Sequence, residues 1–262
     1  MTISLGILCK DGIVLASDGM ASFNFGNTNF VGIDNLKIHI VKNFIFGFAG
    51  DDSLMQHFIS YMSISELTAE NPNVLVSNMC SNFVKYYYEL YNNYPEQIKN
   101  QILTQFHNNI ANCQLSILFA FYINNDFYLY EIHQNLQFSQ LKQDCSWYRI
   151  IGSGTLLGYP SIRLINNLLN IKSVPSVDEA IIIAHWTIQH AIDTSSGGIG
   201  GNVTIACLRN ENDTFCSDYC DTNDSTEYMV DFYKHVHCFK KGIKEIEEDR
   251  TIGSIPPLYP NL

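Results

Sequence analysis

The chain has 262 residues, 46% of them hydrophobic, with 26 acidic against 15 basic side chains and a formal net charge of −11. That length supports a domain whose core needs no disulfide staples, and the acidic surface argues against nucleic acid as a partner. No apolar run reaches the roughly 18 residues of a membrane-spanning helix, and Leu5–Leu8 is too short, and too soon interrupted by Lys10 and Asp11, to be a secretory leader. Neither nucleic acid nor membrane is therefore an expected partner. The eight cysteines are scattered, and Cys9 and Cys207 sit at or inside apolar runs, as free thiols of a reducing cytoplasmic protein do.

In chain order, residues 2–8 and 13–17 read as strands of a hairpin across the Lys10-Asp11-Gly12 turn. The Phe25-Gly26-Asn27-Thr28-Asn29 stretch reads as a loop, and Leu36–Val41 and Phe44–Phe48 as two more strands. From Asp51 the period becomes helical, with Leu54, Phe58, Ile59 and Met62 on one face. A second helix is expected over 74–91 with a stripe of Leu75, Met79, Phe83, Tyr86 and Leu90. Within it, the Tyr86-Tyr87-Tyr88 run suits either a subunit contact or plain core or surface placement.

Residues 114–122 and 127–132 return to strand character, and 150–154 lead into a helix over about 156–169. Another helix follows over 177–192, with Ser176 and Glu179 as a capping box. Strands at 202–208 and 214–217 close the pattern, and the Pro-rich tail from Ile255 is expected to be irregular. Helices in pairs between groups of strands suit two antiparallel sheets between helical layers rather than a doubly wound parallel sheet.

The first residues carry the most chemistry. If Met1 is trimmed, Thr2 becomes the N-terminus and offers a hydroxyl and an α-amine on one residue. Such a nucleophile carries its own general base and needs a nearby cation and an oxyanion hole. With Thr2 small and only one residue before it, a methionine aminopeptidase would suffice to expose it.

Residues 2–18, Leu36-Lys37-Ile38, Phe46-Gly47-Phe48-Ala49-Gly50, Gly152-Ser153-Gly154 and Asp193-Thr194-Ser195-Ser196-Gly197-Gly198 resemble the catalytic β subunits of proteasomes. The bacterial protease HslV looks similar too, around Asp18-Gly19 and Gly26-Asn27-Thr28. Both are N-terminal-nucleophile (Ntn) hydrolases, so the resemblance implies an α+β four-layer αββα sandwich over 1–208. Residues 209–262 would be an extension packed on the same domain or on a neighbouring subunit.

By that resemblance Thr2 is the nucleophile, Lys37 the cation that lowers its hydroxyl pKa, and Asp18 the carboxylate that holds Lys37. Gly50 matches the backbone donor of the oxyanion hole, and a helix N-cap role is compatible with it. Ser153 bonds toward the nucleophile's amine, although a serine at a strand-to-helix junction is also an ordinary N-cap. Asp193 and Ser196 complete the network, with Ser195 competing if the register slips by one. Phe48 and Ala49 fall at the substrate side-chain pocket, where Phe48 would make a shallow apolar floor or belong to the core. Gly19-Met20 replaces an arginine-containing turn common in the family, and Gly200-Gly201 is expected to loosen the loop after Ser196.

Cys216, Cys220, His235, His237 and Cys238 match zinc spacings poorly. No Walker loop, GxGxxG or His-Glu-x-x-His occurs, so no cofactor or metal is expected. The implied activity is threonine-type peptide hydrolysis of peptides or unfolded proteins, inside a homo-oligomeric ring or stacked rings, with room for an ATP-dependent unfoldase. A non-catalytic ring or scaffold subunit, or an amidohydrolase or acyl-transferase on the same fold, is the alternative.

Overall fold

Among the described residues, two five-stranded antiparallel sheets, a two-stranded sheet and five α-helices make an α+β architecture. The structure, a computed structural model, describes residues 2–25, 28–111, 115–144, 146–195, 198–211 and 214–220, all within one compact unit spanning Met1–Thr222.

Strands β1 (Ser4–Leu8) and β2 (Gly12–Ser17) pair as expected, Leu8 facing Ile13, with Cys9 N–H on Gly12 O at 2.8 Å closing the turn. Residues 13–16 are all buried. A continuous apolar run is what a strand covered on both faces requires. Next come β3 (Met20–Phe25) and β4 (Thr28–Asp34), a two-stranded sheet in which Phe25 faces Thr28. Phe25, Thr28 and Asn29 of the expected loop are thus paired strand residues, while Gly26 and Asn27 lie outside the described residues.

Strands β5 (Ile38–Val41) and β6 (Phe44–Gly50) lead into α1 (Asp52–Ile64), whose N-cap Asp51 accepts from Leu54 N–H. Helix α2 (Pro72–Leu90) starts two residues before the expected position. The side-chain Oδ1 of its N-cap Asn71 accepts from the Asn73 and Val74 N–H groups, and Pro72 fills N1, where a missing N–H costs nothing. Helix α3 (Glu96–Ala111) was not expected, so three helices rather than two separate the strand groups. Its apolar side is narrow: Ile102 and Leu103 are partly buried, and Phe106 stacks on Tyr87 with ring centroids 3.9 Å apart. Tyr87 is core, and the Tyr88 hydroxyl bonds the His107 ring, so the tyrosine run is held largely within the helical layer.

Strands β7 (Leu115–Ile123) and β8 (Asp126–His133) match the reading, while β9 (Gln137–Gln140) and most of β10 (Tyr148–Ile151) are additional. Helices α4 (Thr155–Leu168) and α5 (Val177–Thr194) follow, the latter with the expected Ser176–Glu179 capping box. Strands β11 (Thr204–Glu211) and β12 (Thr214–Tyr219) complete the first sheet, ordered β10-β1-β2-β11-β12; the second runs β5-β6-β7-β8-β9.

Three apolar clusters hold these elements. Ile3, Leu5, Ile7, Val14 and Ala16 pack with Ile162 and Ile165 of α4 and Ile183, Ala184 and Ile188 of α5. Phe46, Phe48, Phe119 and Phe121 pack with Phe58, Met79, Phe83 and Phe106 from α1, α2 and α3. The third draws Ile13, Leu15 and Leu208 from one sheet and Ile38, Ile45, Leu118 and Leu129 from the other. The residues from 221 onward, including His235, His237, Cys238 and the Pro-rich tail, lie outside the described residues.

Candidate active site

Asp18 follows β2 directly and is fully buried, a placement an ionised carboxylate tolerates only with partners. Its Oδ1 accepts from Lys37 Nζ at 2.7 Å and from the Ile3 amide at 2.9 Å; its Oδ2 accepts from the Gly200 amide at 3.3 Å. Three segments far apart in sequence therefore converge on one carboxylate. Ile3 is held a second time, because its carbonyl accepts from Asp18 N–H at 3.2 Å.

Lys37 is 5% exposed. Burial pushes its pKa below the usual lysine value, while the charge and hydrogen bond of Asp18 push the other way. The cation lies two hydrogen bonds from the Thr2–Ile3 peptide, through a shared acceptor oxygen.

Thr2 is pinned from the other side by the turn after β10. Its N–H donates to Ser153 Oγ at 3.1 Å, and its carbonyl accepts from Gly154 N–H at 2.9 Å. Gly152 has φ +92°, and a Cβ there would sit 2.3 Å from the Thr2 carbonyl oxygen. Only glycine lets the turn approach so closely. Ser153 is exposed and is not the helix cap; Gly154 is the N-cap of α4 and makes no side-chain capping bond.

Gly50 ends β6 with φ +128°. Phe48 N–H donates across to Lys37 O at 3.0 Å, on the β5 side. Backbone N–H groups point alternately to the two sides of a strand, so the Gly50 N–H faces the same side, past the end of β5. A donor beyond the end of its neighbouring strand is available to an incoming oxygen. Ala49 faces the space between the sheets, its Cβ 3.2 Å from where a Cβ on Gly152 would be. Phe48 points the other way into the helix-side core, 2% exposed, stacked on Phe46 and edge-on to Phe58. Its other edge meets the His39 ring, with centroids 5.7 Å apart.

Thr2, Ser153, Asp18, Lys37, Gly50 and Ala49 thus lie around one end of the two sheets. Asp193 is placed differently: it is exposed, and Oδ1 accepts from Gln189 Nε2 at 2.8 Å, one helical turn back. Ser196 lies outside the described residues, and Ser195 is the C-cap of α5. The residue sequence reasoning missed is Gly200. Its amide on Asp18 fastens the loop that the Gly200-Gly201 pair was expected to loosen, and Met20 lies against it. Backbone donors carry no sequence signal. Among the described residues no group of three or more His, Cys, Asp or Glu side chains could hold a metal ion, and no described helix is long and apolar enough to cross a membrane.

No family model matches the chain, and no curated protein matches it. Among solved structures, the Gly-1 mutant of Anbu from Hyphomicrobium sp. strain MC1 superposes with a TM-score of 0.60. The match covers 98% of this chain and 100% of that one at 14% sequence identity. A likeness at that identity is one of fold, and the fold of Anbu is the proteasome-like Ntn fold.

Proposed function

We propose that the chain is an Ntn hydrolase with a four-layer αββα sandwich, using Thr2 as an N-terminal nucleophile to hydrolyse peptide bonds. The observation that carries this reading is the single Asp18 oxygen that holds both Lys37 Nζ and the amide following Thr2. A buried lysine fixed beside a threonine has a clear use: it stabilises a forming alkoxide. The fold likeness to Anbu and the three apolar clusters support the layered architecture.

In this mechanism removal of Met1 converts the Thr2 amide nitrogen to an α-amine with a reference pKa of about 7.7–8.0. The amine takes the proton from Thr2 Oγ as oxygen attacks the scissile carbonyl carbon. Gly50 N–H receives the oxyanion, the carbon–nitrogen bond breaks, and the departing amine leaves with the proton. Water then adds to the ester, and Thr2 Oγ is released with its proton restored. Ser153 Oγ, already bonded to the Thr2 nitrogen, orients it. Assembly into homomeric rings or stacked rings, with an ATP-dependent unfoldase delivering substrate, would enclose a site that discriminates weakly by itself.

The outward turn of Asp193 favours a second reading, a ring or scaffold subunit that keeps the fold without turnover. Intact mass with N-terminal sequencing, followed by exposure to a peptide epoxyketone, separates the two. The hydrolase predicts a chain short of one methionine and an adduct on Thr2. A retained Met1 and no adduct would establish the scaffold.

A further inference from the structure

Strands β5 and β12 are edge strands, one from each five-stranded sheet, and a single side chain joins them. On β5 the backbone groups alternate in direction. Lys37 O accepts from Phe48 N–H of β6, so the groups of Ile38 and Ile40 turn to the open edge. Ile38 is fully buried, and a buried carbonyl without a donor is costly. Tyr219 of β12 supplies the donor: its hydroxyl donates to Ile38 O at 3.0 Å. The same oxygen accepts from Ile40 N–H. One phenol thus satisfies the two edge groups that a neighbouring strand would otherwise pair.

The placement follows from register. Tyr219 lies opposite Ala206 of β11, which faces the second sheet, so the ring crosses toward β5. The residue is 46% exposed, and only its tip is committed. Ile38 directly follows Lys37, and the four residues of β5 have β6 as their one strand neighbour. Two ties between the sheets therefore bracket the start of β5: Asp18 to the Lys37 ammonium, and Tyr219 to the Ile38 carbonyl. A lysine head on a flexible four-carbon stem stays on one carboxylate only if its backbone is also held. We propose that Tyr219 is a positioning residue: by fixing Ile38 it sets where the Lys37 side chain starts, and so holds the ammonium on Asp18. Tyr219 lies beyond residue 208, so the contribution comes from a strand that the resemblance to proteasome subunits does not reach. Burial raises the phenol above its ordinary pKa, against the pull of the Ile40 N–H, so the hydroxyl keeps its proton through neutral pH.

The catalytic consequence rests on the hydrolase reading, so one readout is kept independent of turnover. Tyr219→Phe keeps the ring and removes the hydroxyl. Brief treatment of the full chain with acetic anhydride, followed by peptide mass mapping, should show Lys37 acetylated severalfold faster in Tyr219→Phe than in wild type. Tyr130→Phe removes a comparable hydroxyl bond, to Asn73, and should leave Lys37 as slow as in wild type. In the chain freed of Met1, Tyr219→Phe should lower kcat for a fluorogenic peptide by about tenfold, with KM unchanged. The acid limb of its pH–rate profile should also move to higher pH, because a cation held less firmly lowers the Thr2 amine pKa less. Unchanged Lys37 acetylation, or equal acceleration in both variants, would overturn the role of Tyr219. So would an active Tyr219→Phe chain with kcat and profile unaltered. Faster acetylation confined to Tyr219→Phe, in a chain that never cleaves peptide, would support the role and overturn the hydrolase reading alone.

Discussion

Lys37 Nζ lies 2.7 Å from Asp18 Oδ1, and neither side chain is more than 6% exposed. The two are unequal partners. Asp18 keeps the Ile3 and Gly200 amides if Lys37 is removed, whereas Asp18 is the only described side chain that bonds the Lys37 ammonium.

Asp18→Asn should therefore cost more stability than Lys37→Met, about 3–5 kcal/mol, because it strands a buried cation. Urea unfolding of the two single variants and the double variant measures this. The double variant should recover part of the loss; a strictly additive result would show that the pair is not coupled. On the proposed hydrolase reading, both single variants should abolish peptide hydrolysis by the chain freed of Met1.

Ser153→Ala separates position from stability. The side chain is exposed and does not cap α4, so the melting free energy should change by less than about 0.5 kcal/mol. If the chain is the proposed hydrolase, removing the acceptor on Thr2 N should nonetheless move the acid limb of the pH–rate profile of the chain freed of Met1. An unchanged profile would remove Ser153 from the site.

Helix α3 hangs on Phe106, which is 1% exposed and stacked on Tyr87. Phe106→Ala should cost about 3–5 kcal/mol by leaving a cavity, and hydrogen exchange should rise first in residues 96–108. Uniform exchange across the chain would mean that α3 does not open separately.

Three of the described histidines should shape the acid side of the stability curve. Burial holds His39, His57 and His185 below the ordinary histidine pKa, with carboxylates near the first two opposing it. Below about pH 6.5 the unfolded chain takes up protons that the folded chain refuses, so stability is full above that pH and is lost as pH falls toward the folded values. Melting temperature should hold steady from pH 8 to 7 and drop between about 6.5 and 5. His185→Gln should flatten that drop; a curve level down to pH 5 would contradict the assignment.

The parts of this fold legible in sequence are those where one rule dominates. Residues 13–16 are apolar on both faces, and Ser176 with Glu179 writes a helix start in two letters. Asp18 and Lys37 could be named from their resemblance, and the structure brings them into contact. Helix α3 escaped because Ile102, Leu103 and Phe106 make a thin stripe among glutamines and asparagines, too weak a period against polar neighbours. Strands β3 and β4 escaped because Gly26 and Asn27 were read with their flanks as one loop, although two such residues suit a hairpin tip. The direction in which Asp193 and Phe48 point was beyond any pattern, since a helix end and a strand face are settled by what packs against them.

The carboxylate that gathers Ile3, Lys37 and Gly200 also imposes an order of events during synthesis. Its last donor lies near residue 200, and β2 gains its second neighbour only when β11, ending at Glu211, has emerged. A ribosome must therefore make most of the protein before its first residues acquire their surroundings. Nascent chains stalled before residue 200 should stay inert to a threonine-directed electrophile, and chains stalled well beyond 220, once trimmed of Met1, should react. On the hydrolase reading, the threonine is made first and armed last.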